Sequence, residues 1–219
     1  MRISLNSLRI NRIRGQYLLP VLLACALIAL SRTVSALDAP VTPTQLVEQF
    51  HGSLLAVMKD AKRLGYRGRL AVLTPENARA FHLPVMTRIV AGRHWKKMSK
   101  PEKQSLVTAF SRMTTATYAH RFSGYDGERF RMVKAMDLRK KAVMIKTELI
   151  KSDGSAVKLD YLLKQYRTGW RVIDIYLDGS FSELATRRSE YSSVLRRKGL
   201  DALIGQISKK VAQYAIDDK

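Results

Sequence analysis

The chain has 219 residues, of which 46% are hydrophobic and 26% are charged, a composition typical of a globular protein and not of a disordered or fibrous one. It carries 39 basic residues against 18 acidic ones, and the resulting net charge of +21 favours an anionic partner. A single cysteine excludes an internal disulfide framework and a multi-cysteine metal site.

The first 36 residues have the three parts of a secretory signal peptide. Residues 1–15 contain four arginines and no acid, residues 17–30 are uncharged and mostly apolar, and Val34–Ala36 supplies small residues for cleavage. A retained transmembrane anchor would need about 18 apolar residues, more than this run offers. Cys25 resembles a lipidation site only weakly, because the apolar run continues beyond it. We therefore predict that residues 1–36 are a cleaved signal peptide.

Cleavage would leave residues 37–219, a length that suits a single domain with a substantial core. Loss of the five signal-peptide arginines lowers the net charge to +16. After export, the available polyanions are phospholipid headgroups and acidic surfaces, so nucleic acid is not an expected partner. The alternative is that the basic charge only keeps the protein soluble.

The first half of the domain is predicted to be helical. Thr42 and Gln45 form a capping box ahead of an amphipathic helix, which is expected to end at Gly65. Residues 74–92 open with a second Thr-Pro pair and fit two short helices broken at Pro84.

A second capping box, Ser99 with Glu102, opens a long helix that closes at a glycine-containing turn. From Phe130 onwards the apolar period changes from 3.6 to 2, which indicates strands. Asp153-Gly154 is a favourable hairpin turn, and the other breaks are also short, so the strands are expected to form an antiparallel meander. The four predicted strands are FRMVKAM, AVMIKTELI, AVKLDYLLKQY and WRVIDIYL.

The fourth strand is unusual because strict alternation would make both of its faces apolar. Trp170 and Val172 fall on one face, and Ile173, Ile175 and Leu177 fall on the other. Antiparallel strands usually expose one face to water, so the second face needs a cover. That cover is either the protein itself or an apolar ligand.

The chain returns to helix after Gly179, and two helical segments separated at Gly199 complete it. Helices followed by a four-stranded sheet and then by further helices, without βαβ alternation, define an α+β fold. Its helices are expected to pack on one side of an antiparallel sheet.

No motif in the sequence indicates catalysis or a metal centre. There is no nucleophile elbow, phosphate-binding glycine loop or HExxH helix, and the four histidines lack ligand spacing. No motif supports a catalytic carboxylate pair, because Asp174 and Asp178 are equally well interpreted as a polar anchor at a strand end and a turn residue. We therefore predict no enzymatic activity, no metal and no cofactor. The methionines suit either a solid core or the adaptable lining of a pocket.

The last third of the chain resembles a known family. GWRVIDIYLDGSFSELATRRSEYSSVLRRKGLDALIGQI is similar to the signature of the MlaC family, also called the toluene-tolerance or ABC-transporter auxiliary-component family. The segment FHLPVMTRIVAGRHW and the residues after it extend the resemblance, which is strongest to the hopanoid-associated branch called HpnM. His82 stands where the family usually has aspartate, so no carboxylate role is carried over to it. The matching positions are Gly169, Trp170, Val172, Asp174, Gly179, Gly199, Asp201, Leu203 and Ile204.

The resemblance implies an NTF2-like or MlaC-like fold, with a four-stranded sheet and helices packed around a hydrophobic cavity. It implies a periplasmic protein whose bound molecule is its cargo, a phospholipid or a hopanoid-type lipid. The implied partners are an inner-membrane lipid transporter complex and an outer-membrane lipoprotein or porin complex. The residues expected to line the cavity are Phe50, Leu54, Met58, Met86, Met113, Tyr118, Val143, Ile145, Leu159, Tyr161, Leu163, Ile173 and Ile175.

Two other functions remain open at the level of sequence. One is a non-transporting periplasmic adaptor that has a solid core and uses a basic face to dock acidic partners. The other is a periplasmic hydrolase, which would depend on Asp174 as its acid.

Overall fold

The computed structural model describes residues 41–218, so the predicted signal peptide and Cys25 lie outside the described residues. Within this range the α-helices are α1 Pro43–Lys59, α2 Ala61–Ala80, α3 Leu83–Ala91, α4 Lys100–Arg121 and α5 Glu183–Ile216, with a 3-10 helix at Gly92–Lys97. The strands are β1 Arg129–Leu138, β2 Ala142–Ile150, β3 Ala156–Tyr166, β4 Gly169–Leu177 and β5 Phe181–Ser182. No helix of residues 41–218 is both long enough and apolar enough to cross a membrane.

The strands form one sheet in the order β1-β2-β3-β4-β5, with every neighbouring pair antiparallel. The predicted α+β fold and meander are confirmed, but the prediction of four strands was wrong because the sheet has five. The fifth strand, Phe181–Ser182, folds back on the end of β4 after a tight turn at Asp178 and Gly179, both of which have positive φ. A strand of two residues shows no period, so nothing in its sequence separates it from the start of α5.

Both predicted capping boxes are confirmed. The Thr42 hydroxyl accepts a hydrogen bond from the backbone N–H of Gln45 at 3.2 Å, and the Ser99 hydroxyl accepts one from Glu102 at 3.3 Å. The predicted break at Gly199 is present as a kink within α5, where this glycine has a φ of 82°. These features depend on neighbours within a few residues, which explains why local sequence predicted them.

Two helix boundaries differ from the prediction. The first helix ends at Lys59 and not at Gly65, which forms a kink inside α2 with a φ of 55°. Thr74 and Pro75 lie within α2 and do not open a new helix. The helix ends where Phe81 adopts an extended conformation and bridges to β4, a long-range contact that local capping signals cannot reveal.

A β-bulge in β4 overturns the expectation that both faces of this strand are apolar. Val172 pairs with Leu163, but Asp174 pairs with Leu162, so Ile173 is an extra residue between them. An extra residue exchanges the two faces of a strand. Val172 before the bulge and Ile175 after it therefore lie on the same inner face, and strict alternation from the sequence assigned them to opposite faces.

The packing between the helices and the inner face of the sheet changes along the strands. Near the β1–β2 and β3–β4 turns the space is filled, and Val143, Ile145 and Leu163 are almost completely inaccessible. Toward the β2–β3 turn, inner-face residues such as Leu159 and Ile175 are only partly buried. The domain therefore has a solid end and, at the other end of the strands, a hollow one.

Candidate functional site

A cavity of about 480 Å³ occupies the hollow end, between the sheet and helices α4 and α5. Its walls are mainly apolar. The apolar and aromatic lining residues are Met58, Met86, Phe110, Met113, Tyr118, Phe122, Leu149, Val157, Leu159, Tyr161, Ile175, Leu177, Leu184 and Tyr191.

The walls follow from strand register and helical spacing. Leu159 pairs with Leu177 and Tyr161 pairs with Ile175, so two adjacent cross-strand pairs present the sheet side of the cavity. On the helical side, α4 contributes Phe110, Met113, Thr117 and Tyr118 together with its last turn. Residues three and four apart lie on one face of a helix, so α4 turns a single continuous face toward the cavity.

Aromatic packing closes the inner end of the cavity. The Phe50 ring lies edge-on to Phe81 at 5.0 Å, to Tyr118 at 5.2 Å and to Tyr161 at 6.5 Å between ring centroids. Burial raises the pKa of the Tyr118 and Tyr161 hydroxyls, so both phenols are neutral. The inner end can therefore accept an apolar group without placing a charge beside it.

A buried histidine lies just behind this aromatic group. The His51 Nε2 atom is 3.1 Å from the Tyr161 hydroxyl oxygen, a hydrogen-bonding distance, and the His51 ring stacks on Phe130 at 3.8 Å. Burial lowers the pKa of His51 to about 3, so its ring is neutral at physiological pH. The polar pair is satisfied internally and adds no charge to the cavity.

The mouth of the cavity is charged. Arg121 at the end of α4, Lys151 in the β2–β3 turn and Arg187 in α5 line it, together with the acidic residues Glu128 and Glu183. Cationic side chains form strong hydrogen bonds with phosphate and carboxylate oxygens. The site thus combines an apolar interior with a mouth that can contact a polar, anionic group.

Asp174 holds the start of α5 in position. Its carboxylate accepts hydrogen bonds from the Ser182 hydroxyl at 2.6 Å and from the Leu184 backbone N–H at 3.2 Å. Negative charge at a helix N-terminus is favourable because the first N–H groups have no partner within the helix. The interpretation of Asp174 as a polar anchor is confirmed, and the helix that it anchors forms one wall of the cavity.

The structure brings seven of the thirteen predicted lining residues together in the cavity walls. The other six are elsewhere, because the sequence indicates which face of an element is buried but not how far along the sheet the hollow extends. Phe50, Leu54, Val143, Ile145 and Leu163 pack in the filled part of the core, and Ile173 is the bulge residue of β4. The seven in the walls are Met58, Met86, Met113, Tyr118, Leu159, Tyr161 and Ile175.

Several lining residues were missed from the sequence. Leu177 shares its strand face with Ile175, and Phe110 shares its helix face with Met113, so periodicity could have identified both. Tyr191 and Arg187 lie one turn apart on α5, but nothing local shows that this face of α5 meets the sheet.

The geometry defines a class of protein, an α+β domain built around an apolar cavity with a charged mouth. A family model described as MlaC protein matches residues 48–209, most of the chain, and the chain belongs to the MlaC family. The family predicted from the sequence is confirmed. The fold is also similar to that of the phospholipid-binding protein from Ralstonia solanacearum, solved in complex with a phospholipid. The TM-score is 0.70, with 20% identity over 81% of this chain and 99% of that one.

Proposed function

We propose that this protein is a periplasmic lipid carrier, which encloses the acyl part of a phospholipid or hopanoid-type lipid and moves it between the inner and outer membranes. The observation that carries this proposal is the cavity of about 480 Å³ with apolar walls. Protein interiors are normally close-packed, so a hollow of this size needs an occupant or a function.

The dimensions and energetics of the cavity suit an acyl chain. At about 480 Å³, the cavity falls within the range of about 300–1,000 Å³ that is typical of ligand pockets. Each methylene removed from water is stabilised by about 0.8 kcal/mol, so a chain cannot cross an aqueous gap unaided.

Membership of the MlaC family and the likeness to a phospholipid-binding protein support a lipid as cargo. The cationic side chains at the mouth support a headgroup with anionic oxygens. A role as a hydrolase is not favoured, because Asp174 is occupied in capping α5. A solid adaptor is not favoured either, because the space between the helices and the sheet contains a cavity of about 480 Å³.

The proposal includes where this carrier acts and which complexes it contacts. Removal of residues 1–36 would deliver a single domain, residues 37–219, to the periplasm. Its proposed partners are an inner-membrane lipid transporter complex and an outer-membrane lipoprotein or porin complex. Similarity to the HpnM branch makes a hopanoid the alternative cargo to a phospholipid.

Lipid extraction tests the proposal directly. The protein is purified after export, extracted with organic solvent, and its bound molecules are identified by mass spectrometry. We expect close to one lipid per protein, together with uptake of lipid from liposomes by delipidated protein. A preparation that contains no lipid and takes up none would refute the carrier function.

A pair of matched tryptophan substitutions separates a cavity from a solid core. Leu159 lines the hollow, so Leu159→Trp should occupy free space, retain the fold and lose lipid. Ile145 is 0% exposed in the filled end, so Ile145→Trp should cost about 1–3 kcal/mol of stability by overpacking. Equal destabilisation by both substitutions, with no change in lipid content, would favour the adaptor.

A further inference from the structure

The solid end of the domain carries a dense group of positive charges. The β1–β2 turn consists of Arg139, Lys140 and Lys141, and all three are exposed. The Gln165 backbone N–H donates to the Lys141 carbonyl at 3.1 Å, so the end of β3 lies beside this turn. The β3–β4 region and helix α3 add further cations. We call the whole group the basic end, and it consists of Arg88, Arg139, Lys140, Lys141, Lys164, Arg167 and Arg171.

These cations converge from separate elements of the fold. Lys164 on β3 and Arg171 on β4 are register partners in the sheet. His82, which precedes α3, has its ring centroid 4.3 Å from that of Tyr166 at the end of β3. Burial lowers the pKa of His82, and the positive charges of Arg171 and Arg88 lower it further. The strand pair and α3 therefore bring their cations to the same side of the solid end.

The positive charge of the basic end is not neutralised within the protein. None of its seven side chains forms an ion pair with a carboxylate among residues 41–218. Asp137 is the single acidic residue in the segments 134–146 and 162–173, which contain both turns. Concentrated like charge destabilises a folded chain through repulsion, and it attracts anions from outside. This end of the domain is therefore suited to an external anionic partner.

Two of these lysines have a backbone conformation that residues with a side chain rarely adopt. The φ of Lys140 is 63° and that of Lys141 is 56°. Glycine and asparagine usually occupy such turn positions, because a Cβ makes the left-handed conformation unfavourable. The chain thus gives up stability to place two lysines at the tip of this hairpin. Strained backbone is concentrated at functional positions in proteins, which supports a role for these charges.

The composition of the basic end favours a bilayer over a folded protein as its partner. Interfaces between proteins have a centre that is apolar and depleted of charged residues. Leu138, at 41%, is the one large hydrophobic residue exposed at these turns in the described chain. Lysine and arginine side chains on projecting turns can contact the headgroups of a flat anionic bilayer without any apolar contact.

We propose that the basic end docks the protein reversibly on an anionic phospholipid bilayer. This surface is separate from the cavity and does not depend on the proposed carrier function. The nine residues of β4, at about 3.3 Å each, place the basic end about 30 Å from the end of the sheet where the cavity opens. A docked protein therefore keeps the mouth of its cavity free and directed away from the bilayer.

Co-sedimentation with phosphatidylcholine vesicles that contain or lack phosphatidylglycerol tests the proposal. The site variant, Lys140→Asn/Lys141→Gly, removes two charges from the basic end. The control, Lys198→Gln/Lys209→Gln, removes the same charge from exposed positions on α5. Each cation near an anionic bilayer strengthens binding about fivefold, so the site variant should bind phosphatidylglycerol vesicles about 25-fold less tightly than the parent. The control should bind like the parent, and raised salt should weaken parent binding.

Urea unfolding separates docking from a structural role of the two lysines. Because asparagine and glycine tolerate a positive φ, the site variant should be at least as stable as the parent. It should also take up lipid from phosphatidylcholine vesicles at the parent rate, since the cavity is unchanged. Weaker docking by a variant of undiminished stability then reflects the lost charge alone.

Several results would overturn the membrane-docking surface. They are failure of the parent to bind phosphatidylglycerol vesicles, equal binding to vesicles without this lipid, and an equal loss of binding in the control. A parent that binds an acidic protein and no vesicle would also overturn it, in favour of a protein partner. None of these results bears on the carrier function, which is refuted separately by failure to take up lipid.

Discussion

Acidification should destabilise the protein through one buried side chain, His51. The residue is 5% exposed, its Nε2 atom is hydrogen-bonded to Tyr161 at 3.1 Å, and its ring stacks on Phe130. Protonation would place a charge among these groups, with no carboxylate paired to it in the described part of the chain. Burial accordingly lowers the pKa of His51 from the ordinary value of 6.5 to about 3.

The direction of the effect follows from proton linkage. Between pH 6.5 and 3 the unfolded chain carries a proton on His51 and the folded protein does not, so acid favours unfolding. The stability contributed by neutral His51 is complete above pH 6.5 and declines as the pH falls toward 3. Between pH 7 and pH 5 the loss amounts to about 2 kcal/mol.

Urea unfolding of lipid-free protein at pH 7 and pH 5 measures this loss. The matched variant is His51→Gln, which retains a hydrogen-bonding group toward Tyr161 but does not titrate. All other titrating groups are common to both proteins, so the parent should lose about 2 kcal/mol more than the variant over this interval. Identical pH dependence in the two proteins would show that folding does not depress the pKa of His51.

Three further predictions concern stability and are measured by chemical denaturation. Asp174→Ala should lower the free energy of unfolding by about 3 kcal/mol, because the Ser182 hydroxyl and the Leu184 N–H both lose a charged acceptor. Asp174→Asn should lower it by less. An alanine variant as stable as the parent would contradict the anchoring role. Ser99→Ala should cost about 1 kcal/mol through loss of a helix cap, and no change would mean that water replaces the cap. Gly199→Ala should cost about 1–3 kcal/mol, because Gly199 has a φ of 82° and a ψ of −176°, a backbone conformation essentially restricted to glycine. A Cβ there would meet no atom within 4 Å, so the cost comes from the backbone alone, and a stabilised variant would contradict the kink.

The sequence predicts those parts of the fold that depend on near neighbours. Capping boxes at Thr42 and Ser99, the change of period at Phe130 and the break at Gly199 are all present in the structure. The fifth strand and the bulge at Ile173 depend on pairing between strands, which leaves no local trace. The α+β class was therefore predictable, while the fine register of β4 was not.

The residues of the candidate site were likewise predictable only where they depend on local sequence. Alternation along β3 correctly places Leu159, Tyr161 and Leu163 on one inner face, but only the first two reach the cavity. Where the filled core ends is decided by how α4 and α5 lie over the sheet, and side-chain period carries no information on that. The positions of Arg187 and Tyr191 in the cavity wall depend on how α5 lies beside the sheet, which the sequence does not show.

The division of the domain into a solid end and a hollow end bears on how such proteins diversify. In a uniformly packed core, each change of side-chain volume perturbs its neighbours and costs stability. Here Val143, Ile145 and Leu163 maintain the fold at one end of the strands, while residues such as Leu159 face free volume at the other. Substitutions at the hollow end can therefore change the shape of the cavity at low cost in stability, so mutation can alter which ligands fit without loss of the fold.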